Sequence, residues 1–84
     1  MDASEGQSML ELTAVVWQEA DDFVSLCPEL GVTSCGSDLE EAVAMLQEAV
    51  DLYLENARAL DMLDDTVASL TSARRWTTSI RVAV

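Results

Sequence analysis

A chain of 84 residues has room for one small domain. Half of its residues are apolar, too many for intrinsic disorder, yet no apolar run approaches the ~18 residues of a membrane span. Sixteen acids against four Arg, with no Lys or His, give a net charge of −12 and oppose direct binding to nucleic acid, whose phosphates reward cations.

The charge is unevenly placed. Residues 1–65 hold every acid and only Arg58, and sum to −15; residues 66–84 hold Arg74, Arg75 and Arg81, and sum to +3. A field of this sign favours docking onto a basic partner and fast, salt-sensitive association. A solvated surface of the kind salt-adapted organisms carry accounts for the acid excess equally well.

Residues 1–8, MDASEGQS, read as a flexible lead to a single domain over residues 9–84. The lead lacks the basic start and apolar stretch of a signal peptide, and it carries the acids that transit peptides avoid. A cytoplasmic protein is the default expectation. MLELTAVVW follows, in which Leu10, Leu12, Ala14 and Val16 alternate with Glu11, Thr13, Val15 and Trp17. This alternation predicts a first strand with one better-buried face. After the polar break QEADD, Phe23 to Cys27 predicts a second strand, and so short a link predicts an antiparallel hairpin.

Pro28 ends the second strand, because it offers no N–H to a ladder, and Gly31 supplies the positive φ of a tight reversal. Val32 to Cys35 predicts a third strand, ended by Gly36. If Cys27 pairs with Val32, then Cys35 lies opposite Val24, on the other face from Cys27, and no disulfide joins the two Cys. Cys27 and Cys35, eight apart and without His, also lack the spacing of a zinc site.

Asp38 is the better N-cap of the helix that follows, with Glu41 as its capping-box partner; Ser37 with Glu40 is the competing frame. Leu39, Ala42, Val43, Leu46, Ala49, Val50 and Tyr53 form a continuous helical stripe, widened by Met45, Leu52 and Leu54. A helix over 38–56 is predicted, with Glu40, Glu41, Gln47, Glu48, Asp51 and Glu55 on its polar face. Residues 57–72 keep helical spacing at Leu60, Leu63, Val67 and Leu70, interrupted by DMLDDT, and predict a short second helix. In RRWTTSIRVAV, Trp76, Thr78, Ile80, Val82 and Val84 alternate with Thr77, Ser79, Arg81 and Ala83, which predicts a fourth strand. A strand that returns after a helix most easily runs parallel to an earlier one. The expected architecture is α+β: β-β-β-α-(α)-β, a mixed four-stranded sheet with the long helix on one face.

The run from the first hairpin through Pro28-Glu29-Leu30-Gly31, Gly36-Ser37-Asp38, Glu41-Ala42 and Glu48-Ala49 with Tyr53-Leu54 resembles the HicB-like antitoxin family, in a short, single-domain form. The resemblance covers about residues 10–56, and 74–84 more loosely. It implies a partly degraded ribonuclease-H-like fold. It also implies a role as an antitoxin that covers a HicA-type toxin, a small basic protein that cleaves messenger RNA. Many members add a DNA-binding domain, for which these 84 residues leave no room, so the chain is expected not to bind an operator itself. A stand-alone homo-oligomeric HicB-like protein without a toxin is the alternative.

An active ribonuclease H fold needs carboxylates clustered from several elements to hold divalent metals. Here the first strand offers Glu11 alone and the fourth offers Arg81 and no acid, and no His can serve as base. No catalytic residue, metal site or cofactor is expected; an acid- and metal-dependent hydrolase is the weakest reading. The expected partner-binding residues are Glu40, Glu48, Asp51 and Glu55 on the helix and Glu19, Asp21, Asp22 and Glu29 around the turns, with Trp17 and Trp76 as anchors. The solvated side of an amphipathic helix stays open as the plainer account of the acids. Uncovered sheet edges and one uncovered face lead one to expect a homodimer or higher oligomer.

Overall fold

The computed structural model describes residues 9–72, 76 and 78–84. Five elements follow in order: β1 (Val15–Glu19), β2 (Asp22–Cys27), β3 (Val32–Gly36), α1 (Leu39–Ala59) and α2 (Leu63–Ser72). The strands form an antiparallel sheet in the order β1-β2-β3. The lead over residues 1–8, the Arg74–Arg75 pair and Thr77 lie outside the described residues.

The second reversal follows from Pro28 and Gly31. The Leu30 and Gly31 N–H groups donate to the Cys27 carbonyl at 3.2 and 2.8 Å, and Gly31 takes φ +70°. That turn sets Cys27 opposite Val32 and Val24 opposite Cys35, as the sequence predicts. The two Cys therefore face opposite sides; both are free, Cys27 buried and Cys35 exposed. The first reversal is tighter than QEADD suggests. Glu19 pairs with Asp22, so Ala20 and Asp21 alone make the turn. Ala20 sits at φ 54°, a left-handed conformation in which its Cβ is strained.

Pairing register sorts the side chains. Val16 lies opposite Ser25 and Ser25 opposite Ser34, and this side packs under α1. Val15, Trp17, Val24, Leu26 and Cys35 occupy the other side, which neither helix covers. The contact between sheet and helix is built from small residues. Ser25 is fully buried and its hydroxyl donates to the Ala42 carbonyl at 2.9 Å, with Cys27, Ala42 and Leu46 buried around it. Gly36 belongs to the same contact, because a Cβ there would stand 2.5 Å from the Ala42 backbone nitrogen.

Asp38 is the N-cap of α1: its Oδ1 accepts from the Glu41 N–H at 2.7 Å. Glu41 in turn accepts from the Ser37 N–H and hydroxyl at 2.7 and 3.1 Å, one residue before the usual capping box. The helix runs to Ala59, past the predicted end at 56. It stops in a Schellman closure, in which the Met62 N–H reaches the Ala57 carbonyl at 2.7 Å and the Asp61 N–H the Arg58 carbonyl at 3.0 Å. Asp61 occupies the left-handed position, at φ 60°, that Gly usually fills. α2 then packs on α1, burying Leu70.

Two sequence expectations need correction. The first strand is shorter than 10–17 implies: residues 9–14 join no ladder, and pairing begins at Val15. The mixed four-stranded sheet is a three-stranded antiparallel one among the described residues, because residues 76 and 78–84 pair with no strand. Alternation specifies a side chain pattern suited to a strand, but it does not say whose edge that strand will join.

Candidate interaction surfaces

Eight of the ten expected partner-binding residues fall on two opposite sides, all but Glu29 and Trp76. On the open face of the sheet, Trp17 is 38% exposed and its indole N–H donates to Glu19 Oε1 at 3.0 Å. Asp21 and Asp22 stand exposed at the same hairpin end. Beside Trp17 lie Val15, Val24, Leu26 and Cys35, so this face is apolar in its middle and acidic at one end. On the far side of the molecule, Glu40, Glu48, Asp51 and Glu55 project from the face of α1 turned away from the sheet. Asp51 accepts from the Gln47 amide at 3.1 Å, and the other flank of this ridge includes the exposed Leu52. Trp76 is 81% exposed.

Glu29 has an internal role that the sequence does not announce. Its carboxylate accepts from the Thr13 N–H at 3.1 Å and from the Thr13 hydroxyl at 2.6 Å, clasping residues 9–14 to the 28–31 turn. Partial burial raises its pKa, but the bonds from Thr13, its own N–H and the Cys27 thiol outweigh this and hold it at about 2, below the usual 4.5. Such a carboxylate stabilises the fold fully above pH 4.5, and that stabilisation is lost as pH falls toward 2. Glu29→Gln should therefore cost about 1 kcal/mol at pH 7, allowing for solvent screening. In urea titrations the gap between the two proteins should close between pH 4.5 and 2; a gap that stays constant with pH would assign Glu29 no charge-dependent role.

A groove of about 420 Å³ lies between residues 9–14 and one flank of α1. Leu10, Leu12 and Ala14 form one wall and Val43, Val50 and Leu54 the other, with Leu46 and Cys27 at its base. Burial pushes the Cys27 thiol pKa up, with the Glu29 carboxylate adding to the shift against opposing backbone bonds. The thiolate is thus disfavoured. The sequence puts Cys27 at the end of the second strand but carries no sign of the groove, which depends on where α1 crosses the sheet.

Among the described residues, no three His, Cys, Asp or Glu side chains gather closely enough to hold a metal ion. No helix among them is long and apolar enough to cross a membrane. Compared with protein-family models, curated proteins and solved structures, the chain matches none.

Proposed function

We propose that this chain is an antitoxin-like protein-binding module that neutralises a small basic, messenger-RNA-cleaving toxin of the HicA type by covering its surface. The observation that carries this reading is the acidic ridge of α1. Glu40, Glu48, Asp51 and Glu55 are all exposed on one side of a rigidly capped helix, whose one cation, Arg58, lies in its last turn. Such a ridge steers a basic protein and selects against acidic ones. The order β-β-β-α is also the first part of the ribonuclease-H-like, HicB-type fold that the resemblance implies. In that fold, residues 76–84 would supply the remaining strand.

The test is binding to a small basic protein encoded beside this chain. Association should be fast at low salt and slow steeply as salt rises. The double substitution Glu48→Lys with Asp51→Lys should slow association by about 10-fold and flatten the salt dependence, with little change in stability because both positions are exposed. Unchanged association kinetics would remove the ridge from the interface. If no such neighbour binds even at low salt, the stand-alone homo-oligomeric reading takes its place. The unpaired apolar segment beyond α2 favours that reading.

A further inference from the structure

Residues 9–14 are attached to the body differently from everything around them. β1 pairs with β2 only from Val15, set opposite Leu26. Continuing that register would bring Thr13 opposite Pro28, which has no N–H to give. The ladder therefore stops, and the Thr13 N–H and hydroxyl turn to the Glu29 carboxylate, at 3.1 and 2.6 Å. The segment's packing is equally light. Leu10 and Leu12 are half-buried, and Met9, Glu11, Thr13 and Ala14 are exposed.

What lies beneath is not light at all. Leu10, Leu12 and Ala14 wall one side of the groove, and its base is Leu46 and Cys27, both buried. The Cys27 thiol reaches the same carboxylate, 3.5 Å from Glu29 Oε1. One side chain thus joins the wall of the groove to its floor. A segment outside the ladder, with few buried contacts and an exposed anchor, belongs to the part of a fold that opens at low cost. Lifting it would break no β1–β2 pair and would leave the Ser25 bond to the Ala42 carbonyl in place.

We propose that residues 9–14 are a strap, which swings off the groove as a unit when the Glu29 clasp releases Thr13 and uncovers Cys27 while the sheet and α1 stay folded. The groove is then a gated surface: its apolar floor is presented only in the open form. Thr13 and Glu29 set how often that form is visited.

The full chain carrying Cys35→Ser has Cys27 as its single thiol, a built-in reporter of the floor. Iodoacetamide is a suitable probe because it is neutral and so indifferent to the net charge of −12. The Cys27 sulfur takes its carbamidomethyl group, and iodide and the thiol proton leave. Below the unfolding transition the rate should be nearly flat in urea, since so short a segment exposes little surface. Thr13→Val removes the hydroxyl bond but keeps the Glu29 charge beside the thiol, and should speed alkylation by about 5- to 10-fold with the same flat dependence. A wild-type rate that climbs with urea along the global unfolding slope would overturn the proposal, because the thiol would then be reached only by unfolding. A flat rate that Thr13→Val leaves unchanged would overturn it too, assigning the opening to α1. The wild-type urea dependence stands as a test whether or not the Thr13 variant folds.

Discussion

Gly36→Ala should destabilise the fold by about 3 kcal/mol or more, a large share of the roughly 4–13 kcal/mol expected for a chain of this length. The reason is the nature of the atoms in the way. A Cβ on Gly36 would lie 2.5 Å from the Ala42 nitrogen and 2.8 Å from the Glu41 carbonyl carbon. Both are backbone of the first turns of α1, so no side chain can rotate to make room. The helix would have to lift, loosening the Ser25 hydroxyl from the Ala42 carbonyl and uncovering Cys27. Gly31→Ala is the matched control. A Cβ there meets nothing within 4 Å, so the cost is the left-handed strain alone, about 1 kcal/mol. Urea unfolding followed by circular dichroism separates the two; equal midpoints would mean that the helix does not rest on Gly36.

Leu46→Ala should cost 2–5 kcal/mol by roughly the rule for buried leucines. Leu46 is 4% exposed and forms the base of the groove beside Cys27. Truncation would extend that groove into the core, leaving the Cys27 thiol and the underside of β2 without neighbours. A loss near the upper end of the range would mean that α1 is held too firmly by the Ser25 and Gly36 contacts to settle into the gap. Leu52→Ala, on the same helix but 60% exposed, should change stability by less than about 0.5 kcal/mol. The paired measurement tests which side of the stripe is core. Sequence periodicity alone leaves that open, because Leu52 and Leu46 both belong to it.

How far such features can be read in advance depends on whether their cause is local. The pairing of Cys27 with Val32 follows from Pro28 and Gly31, and the start of α1 from Asp38 with Glu41; each is fixed within a few residues. The end of α1 was less legible, because Asp61 takes the left-handed position without the Gly that would signal it. Ser25 looks like an ordinary polar residue of an alternating strand, and its full burial requires the Ala42 carbonyl, seventeen residues away, as acceptor. The surface acids were individually evident. Their separation onto two sides was not, since it depends on the crossing of α1 over the sheet. The fourth strand shows the limit most plainly: Trp76 to Val84 carry a strand's pattern, and the described residues form no pairing with it.

The separation of the two Trp residues gives the protein a built-in optical gauge. Trp17 is half-sheltered on the sheet and tied to Glu19, whereas Trp76 stands in water beyond α2. Native emission is therefore the sum of a bluer, slowly quenched component and a redder one that acrylamide reaches freely. Phe substitution of either indole isolates the other, so the surroundings of Trp76 and the integrity of the sheet can be followed at separate wavelengths without any attached dye.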